Sequence, residues 1–568
     1  MSTNTHRTPR RWMSIVISLC IAFAVAINCG AAPSNSSRLA PDLSAVPPGT
    51  TVDIIVQFHS PPSDAAVAAV ERAGAKTKAR FKHIAAGVFS APASSLLSIA
   101  GLSGVTYISP DRQVAGSLEF AEPAVGADLA YQYGWSGAGI GVAVIDSGVA
   151  ADQPDLKYRV VHSENFVATE ARVDDAYGHG THVAGIVAGN AMSSTGPSYT
   201  RTFRGIAPKA LVINLRVLDS NGQGTDSAVI SALDRAIELK SMYSIRVINL
   251  SLGRTIRESY VSDPLCQAVQ RAWQAGLVVV VAAGNNGRDD SMGTAGYATI
   301  ASPANSPYVI TVGAMKDMGT LSRGDDLIAS YSSKGPTLID HVVKPDLVAP
   351  GNVIISALAP NSVIRARYPD NVVPISYYKV NSTTNISSAY FRLSGTSMAA
   401  PIVSGAAALL IQKQPELTPD QVKARLMKTA GKALPSSSVY VDSATGLSYQ
   451  STYDLFTVGA GYVDVWAALS SNESPAGSAL SPIAVYNPQT QQTSLTLAPN
   501  SVWNSTVVWG TDTVWGTNVM ISGTAVVWGT AVVWGTSTNQ GFTVVWGTTV
   551  VWGTNQPFPE VVATRGDL

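Results

Sequence analysis

Charged side chains are scarce in this sequence of 568 residues, where they make up 13% of the positions and 38 Lys+Arg balance 38 Asp+Glu. Globular domains typically contain about 25% charged residues. Proteins that bind nucleic acid depend on a basic excess that neutralises phosphates, so the lack of such an excess excludes a nucleic-acid partner. The 46% of hydrophobic residues suffices for at least one large core and excludes a chain that is disordered throughout.

Cysteine is also rare, with three residues in the whole sequence. Cys20 and Cys29 lie in an N-terminal segment that we expect to be removed, which leaves Cys266 alone. One thiol cannot form an intrachain disulfide, so we expect the fold to be held by its core; additional stabilisation by metal ions stays open. We interpret Cys266 as a small buried hydrophobic residue rather than a nucleophile.

The N-terminal residues are typical of an export signal. Arg7, Arg10 and Arg11 form a basic region, and the uncharged stretch 13–27 is shorter than the ~18 residues expected of a membrane-spanning helix. We therefore predict a signal peptide over residues 1–32 and a secreted or extracellular bacterial protein. A twin-arginine signal and a lipid anchor on the second cysteine stay open as alternatives.

Composition and periodicity divide the rest of the sequence. Residues 51–115 combine alternating strands with a helical pattern, which is typical of a small α+β domain. Residues 121–470 contain continuous apolar runs between helical segments, as a parallel sheet buried on both faces requires. This pattern predicts an α/β fold, followed by a linker over residues 471–500 and a β-rich, Trp-rich repeat tail over residues 501–556. The predicted strands of the parallel sheet include residues 140–145, 211–217, 247–250 and 277–282.

Three short motifs in the α/β region carry side chains that can act together. VAVIDSGV places Asp146 at the end of an apolar strand, GHGTHVAG surrounds His179 with glycines before a helix, and SGTSMAAP places Ser397 at the start of another helix. A serine hydroxyl is a weak nucleophile near neutral pH and needs a nearby base and a third group that orients the base. The three motifs supply these groups. We interpret His182, one helical turn beyond His179, as structural.

In the order Asp, His, Ser, these motifs resemble those of the subtilisin-like serine peptidases, the subtilase family. The resemblance covers roughly residues 121–469 and implies a subtilisin-like parallel sheet flanked by helices and hydrolysis of peptide bonds through an acyl-enzyme. It implies that Asp146 orients the base, that His179 is the general base and acid, and that Ser397 is the nucleophile. Asn285, in the motif AAGN, corresponds to the side-chain donor of the oxyanion hole. This chemistry requires no metal or other cofactor.

The resemblance also indicates where a substrate would bind. Ser251, Leu252 and Gly253 follow a predicted strand and resemble the extended segment that lines the S1 pocket and pairs with the substrate. Asn286 occupies a position where some subtilisins carry an acidic residue. Its amide offers no formal charge to a basic P1 side chain. We therefore expect protein or peptide substrates with a broad or apolar P1 preference.

The small domain at residues 51–115 resembles the inhibitor-like propeptide of the family. We expect a zymogen that processes itself within residues 116–122 and whose propeptide acts as an intramolecular inhibitor; a permanent binding domain is the alternative. Structural calcium is common in the family and stays open here, with no ligand assigned. Three aspartates, Asp155, Asp174 and Asp219, are candidate oxygen ligands but are expected at the solvated surface.

The tail contains six copies of Val-Trp-Gly-Thr, with pairs of tryptophans that recur every 18 to 19 residues. This repetition is typical of stacked short strands. The uncharged aromatic composition makes the tail a candidate for contact with a cell surface or a polymer, while a passive stalk or removal during maturation are the alternatives. We interpret the tripeptide Arg565-Gly566-Asp567 as a chance match.

The sequence as a whole predicts a secreted serine endopeptidase. The alternative is a surface adhesion protein that uses its repeat tail and keeps a non-catalytic, protease-like scaffold; it predicts damage in the catalytic motifs, and none is visible. An acyl hydrolase acting on esters would use the same three groups and is the third hypothesis.

Overall fold

The computed structural model describes residues 38–40, 43, 46–81, 85–110, 118–291, 293–380, 382, 389–442, 445–487, 492–504, 520–522, 525–527 and 566–567. The predicted signal peptide and most of the predicted repeat tail, including all Val-Trp-Gly-Thr residues except Val527, fall outside these ranges. The chain divides into two compact units, Met1–Val114 and Ala115–Leu568.

The first unit is built on a four-stranded antiparallel sheet. Every second residue of its central strand is buried, as Ile54, Val56 and Phe58 are, because side chains alternate between the faces of a strand. Val67 and Val70 of the first helix pack into the same core. The elements are β1 (Thr51–Phe58), α1 (Asp64–Arg72), β2 (Lys76–Arg80), β3 (Ala86–Pro92), α2 (Leu96–Ala100) and β4 (Val105–Pro110), with the sheet order β2-β3-β1-β4.

The second unit contains a largely parallel sheet that helices flank, which confirms the predicted α/β class. The central strands are buried along their whole length, as the continuous apolar runs require. The four strands listed in the prediction are present, with ends shifted by at most two residues. The strands of this sheet are β5 (Gly141–Asp146), β6 (Val160–Asn165), β7 (Leu211–Arg216), β8 (Ile245–Leu250), β9 (Val278–Ala282), β10 (Ile310–Lys316), β11 (Leu327–Ile328) and β12 (Leu347–Pro350).

The order of the sheet is β11-β10-β9-β8-β5-β7-β6, and β12 also pairs with β10. All pairs are parallel except β10 with β11. From β5 the chain first builds the side with β7 and β6, and it then crosses to the other side with β8. In parallel sheets a ligand crevice forms at the carboxyl ends of the strands where the order reverses in this way.

The helices of this unit are α3 (Leu118–Ala124), α4 (Ala127–Gln132), α5 (His179–Ala188), α6 (Asp226–Leu239), α7 (Pro264–Gln274), α8 (Val363–Arg367), α9 (Thr396–Lys413), α10 (Pro419–Thr429), α11 (Leu455–Val458) and α12 (Val465–Ser470). Small residues make up much of α5 and α9, and nearly all of their residues are buried. The remaining strands form two antiparallel pairs and a small sheet, namely β13 (Ile354–Ala357), β14 (Tyr390–Leu393), β15 (Ser437–Val441), β16 (Ser448–Thr452), β17 (Ile483–Asn487), β18 (Gln492–Thr496), β19 (Met520–Ser522) and β20 (Ala525–Val527).

Across the described ranges, the helices are too short or too polar to cross a lipid bilayer.

Candidate active site

Asp146 is the last residue of β5 and is completely buried. Its Oδ1 lies 2.8 Å from Nδ1 of His179, the first residue of α5. The same oxygen accepts a hydrogen bond from the Ser147 amide at 2.7 Å. A carboxylate held in this way keeps the proton of the imidazole on Nδ1 and leaves Nε2 as the basic nitrogen.

Glycines allow α5 to approach the end of β5 closely. A Cβ on Gly180 would lie 2.2 Å from the Gly148 carbonyl oxygen, a distance no real side chain could take. Gly178, just before the helix, has φ +110°, and a Cβ there would lie 2.6 Å from the Ser362 hydroxyl. The glycines on both sides of His179 are therefore a condition for the short distance between the imidazole and Asp146.

Asp175 is a buried residue of this site that the sequence analysis missed. Its carboxylate accepts hydrogen bonds from the Ser147 hydroxyl at 2.9 Å, the Gly178 amide at 2.6 Å and the Thr181 amide at 2.7 Å. It thus satisfies amides at the start of α5, which have no partner within the helix. The only sequence signal was an acidic residue shortly before a helix, which is common at helix starts in general.

The electrostatic surroundings favour a protonated His179. Burial lowers the pKa of its imidazole, but the charge of Asp146 and its hydrogen bond more than offset burial, and Asp175 adds to their effect, so the pKa is raised above 6.5. His182 is different, because burial lowers its pKa to about 3. Its Nε2 donates to the carbonyls of Ile354 and Phe391 at 3.1 and 3.0 Å, which agrees with the structural role predicted for it.

Ser397 lies in the first turn of α9. Its hydroxyl donates to the Ser251 carbonyl at 3.1 Å, and the Ser251 hydroxyl donates back to the Ser397 carbonyl at 2.8 Å. Among the hydrogen bonds of the described residues, none joins the Ser397 hydroxyl to His179. Such contacts are often long in unliganded sites and tighten when substrate binds.

The sheet brings the two halves of the site together. β5 and β8 are neighbouring parallel strands, and Ile145 pairs with Leu250 in their register. Asp146 and Ser251 are the next residues along the two strands, so they emerge side by side at the carboxyl edge. In addition, α5 packs against α9. The Asp146–His179 pair and the Ser397–Ser251 pair therefore occupy the crevice where the strand order reverses.

Asn285 follows β9 and faces the start of α9. Its Oδ1 accepts hydrogen bonds from the Thr396 amide at 2.9 Å and from the Thr396 hydroxyl at 3.1 Å. The Thr396 hydroxyl also accepts from the Gly284 amide at 3.1 Å. Because Oδ1 is occupied, Nδ2 is the group that Asn285 can offer to a reacting oxygen beside Ser397. Thr396 is a second residue that the sequence analysis missed.

The predicted substrate-binding residues form the edge of this crevice. Ser251 is buried and bonded to Ser397, whereas Leu252 and Gly253 are partly exposed. Asn286 is also partly exposed. Its backbone amide donates to the Ser333 hydroxyl at 3.1 Å. The three-residue segment thus starts at the nucleophile candidate and runs outward along the surface.

The aspartates considered for calcium have different environments. Asp155 is buried, contrary to the solvated position expected of it, and its carboxylate accepts from the Ser193 amide at 2.7 Å and the Tyr390 hydroxyl at 2.5 Å. Asp174 is exposed and pairs with Arg172, and Asp219 caps a turn. Within the described ranges, no group of three or more His, Cys, Asp or Glu residues could hold a metal ion. Each Asp155 oxygen thus accepts a hydrogen bond from the protein.

A family model described as the subtilase family matches residues 137–461, which is more than half of the chain. The chain belongs to the subtilase family. It is 39% identical to the serine protease AprX of Bacillus subtilis, over 63% of this chain and 76% of that protein. It is 31% identical to subtilisin E of the same species, over 75% of this chain and 94% of that protein. A solved cold-adapted subtilisin-like serine proteinase matches 52% of this chain and 84% of its own, with 31% identity and a TM-score of 0.38.

This membership makes the chain a serine endopeptidase of the subtilisin type, as the motifs predicted. It also implies that peptides or proteins are its substrates.

Replacing Thr396 by valine tests the orientation of Asn285. Thr396→Val keeps the backbone amide that binds Oδ1 but removes the hydroxyl, so the Asn285 side chain becomes freer to turn. We expect kcat to fall roughly tenfold, less than the ~10²–10³ for complete loss of an oxyanion donor, with little change in KM. Steady-state kinetics on a peptide p-nitroanilide measure this. Thr396→Ser keeps a hydroxyl and should have nearly the wild-type kcat. Equal kcat for Thr396→Val and Thr396→Ser would contradict a role of the hydroxyl in orienting Asn285.

Replacing Asp175 by asparagine tests the electrostatics of His179. The Asp175 charge raises the pKa of His179, and a base must be neutral to accept a proton. Asp175→Asn should therefore lower that pKa and move the acid limb of the kcat/KM profile to lower pH. Asp174→Asn, at an exposed neighbour, is the matched control and should leave the limb in place. An acid limb that stays fixed or moves to higher pH in Asp175→Asn would refute the electrostatic role.

Proposed function

We propose that this chain is a secreted endopeptidase, made as a self-processing zymogen, in which Asp146, His179 and Ser397 form the catalytic triad. The observation that carries the proposal is the buried 2.8 Å hydrogen bond between Asp146 and His179, at the same sheet edge as the Ser251-bound Ser397. An acid that orients an imidazole beside a helix-start serine is the arrangement that activates a hydroxyl for acyl transfer.

The proposed first step is attack of the Ser397 oxygen on the carbonyl carbon of the scissile peptide. The hydroxyl turns from the Ser251 carbonyl to His179, and its proton passes to Nε2 as the new C–O bond forms. The carbonyl oxygen becomes an oxyanion that accepts hydrogen bonds from Asn285 Nδ2 and the Ser397 amide. Asp146 stays ionised and stabilises the imidazolium.

The intermediate then collapses, the C–N bond breaks, and His179 gives its proton to the leaving amine. The remaining ester on Ser397 is the acyl-enzyme. A water molecule then attacks the carbonyl carbon of this ester while His179 accepts its proton. His179 returns a proton to the Ser397 oxygen as the ester bond breaks, which releases the acid product and the free hydroxyl. A raised pKa suits His179 to these transfers, because a base with a pKa near the operating pH serves in both directions.

A broad or apolar P1 preference is supported by the small, uncharged residues around the oxyanion asparagine. The Ala301 amide donates to the Ala283 carbonyl at 3.0 Å, and a Cβ built on Gly284 would lie 3.5 Å from the Ala301 Cβ. Asn286, partly exposed beside them, has no formal charge. Such surroundings favour apolar side chains over cations, which would lose hydration without gaining an ionic partner.

Tetrapeptide p-nitroanilides that differ only at P1 test this preference. We expect kcat/KM to be higher for Phe or Leu than for Lys or Arg at P1, and Asn286→Glu to raise the Lys-to-Phe ratio several-fold through an added charge at the pocket. Asp289→Glu, a nearby substitution that conserves charge, is the control and should leave the ratio unchanged. A wild-type preference for Lys or Arg would overturn the proposed specificity.

The zymogen proposal is supported by the compact first unit, which has its own core around Phe89 and Ile108 and precedes the peptidase region. Intact mass of the chain without residues 1–32 tests it, for wild type beside Ser397→Ala, after incubation at neutral pH. We expect the wild type to lose residues 33 to about 116 and the alanine variant to keep them.

Adding a trace of mature wild type to the Ser397→Ala chain separates cleavage within a molecule from cleavage between molecules. Hydrolysis of peptide substrates by a wild type that keeps its full mass would overturn the zymogen proposal. A chain with neither hydrolysis nor mass loss would point to the adhesion alternative for this member of the family.

A further inference from the structure

Asp567 is buried against the peptidase region, with 2% of its surface exposed. Its Oδ1 accepts from the Arg288 guanidinium at 2.6 Å and the Ser330 hydroxyl at 2.8 Å, and its Oδ2 accepts from the Ser330 amide at 2.7 Å. The Asn352 side chain binds the backbone of Asp567 on both sides, accepting from its amide at 2.8 Å and donating to its carbonyl at 3.0 Å. Both carboxylate oxygens and both backbone polar groups of Asp567 therefore have partners.

Gly566 is required at the neighbouring position. Its φ is +59°, and a Cβ there would lie 2.3 Å from the Ser394 hydroxyl and 2.4 Å from Asn352 Oδ1. A larger residue would be strained in its backbone and would also clash with these two side chains. The contacts thus select glycine followed by a short carboxylate.

Arg288 is built to hold an anion. Its Nε donates to the Ser330 hydroxyl at 2.7 Å, and this hydroxyl in turn donates to the Asp567 carboxylate. Its guanidinium also lies 5.0 Å from the ring centroids of both Tyr440 and Tyr449 in the β15–β16 hairpin, and its Nη1 lies 3.5 Å from the Asp442 carboxylate. Stacking on two rings and a bond to a fixed hydroxyl orient the cation, so that little entropy is lost when a carboxylate binds.

We propose that the peptidase region carries a binding site for a Gly–Asp dipeptide, formed by Arg288, Ser330, Asn352 and Ser394, and that the chain's own Gly566–Asp567 occupies it. The ligand class is a peptide with glycine followed by an aspartate carboxylate. Because the tail precedes this dipeptide, the site anchors the far end of the tail to the peptidase region, whatever the tail itself contacts.

The site adjoins the loops that carry the oxyanion and nucleophile candidates. Arg288 follows Asn285 by three residues, and Ser394 precedes Ser397 by three. Asn352 is joined to the same structure, because the Gly395 amide donates to the carbonyl of its neighbour Gly351 at 2.8 Å. The dipeptide therefore connects these loops, and we expect its loss to lower the stability of the chain.

Thermal unfolding midpoints in the full-length Ser397→Ala chain test the proposal without dependence on catalysis. We expect Asp567→Asn and Gly566→Ala each to lower the midpoint, while Asp512→Asn in the tail leaves it unchanged. Arg288→Met should also lower it. The effect of Asp567→Asn should be smaller in the Arg288→Met background, because the two groups interact directly. Unchanged midpoints for Asp567→Asn and Gly566→Ala, or fully additive effects, would overturn the proposal.

A blocked peptide of residues 562–568 identifies the ligand chemistry. At millimolar concentration, which matches that of a tethered segment, it should raise the midpoint of the Asp567→Ala, Ser397→Ala chain and shift that of the chain with Asp567 intact much less. Peptides with Asp replaced by Asn or Gly by Ala should bind at least roughly tenfold more weakly, since each loses a charged hydrogen bond or the steric fit. Equal shifts by all three peptides, or no shift by any, would reject a Gly–Asp site.

Discussion

The site depends on the hydrogen bond between the buried carboxylate of Asp146 and the ring of His179. A completely buried carboxylate is costly unless it has partners, so the end of β5, the Ser147 amide and the start of α5 must meet at one point. This requirement fixes the path of α5, because a helix that starts with the imidazole has to pass within contact distance of the strand. The glycine at position 180, which leaves room for the Gly148 carbonyl, follows from the same constraint.

Close packing of backbones extends this constraint through the rest of the peptidase region. A Cβ on Gly185 of α5 would lie 2.4 Å from the Ser356 hydroxyl, and one on Gly405 of α9 would lie 2.5 Å from Ile206. Glycine at these positions therefore lets α5 approach β13 and lets α9 approach the segment that precedes β7. The recognisable appearance of such motifs thus has two sources. One is the set of candidate catalytic side chains, and the other is the set of small residues that permit close contact between backbones.

The sequence allowed the α/β sheet and the juxtaposition of the Asp, His and Ser motifs to be predicted, because buried strands and motif order leave local signals. Asp175, Thr396 and Asp155 were missed or misplaced for a common physical reason. Each is a polar residue whose partners are decided by tertiary contacts, such as the Tyr390 hydroxyl that reaches Asp155 from a distant strand. The contacts of Gly566 and Asp567 were even less predictable from the sequence. Their partners lie more than 170 residues away, and composition alone cannot reveal a binding site.

The site consists of two halves that different elements control. Asp146 ends β5, His179 starts α5 and Asp175 lies just before that helix, and the two carboxylates favour the protonated form of the His179 imidazole. Asn285 and Thr396 belong to the β9 loop and α9, and they set the position of a hydrogen-bond donor. The halves meet through the β5–β8 register and the packing of α5 on α9. The side-chain hydrogen bonds that the structure describes for Arg288 go to Ser330, Asp442 and Asp567, so these contacts lie on the side of the β9 loop and do not include Asp146 or His179.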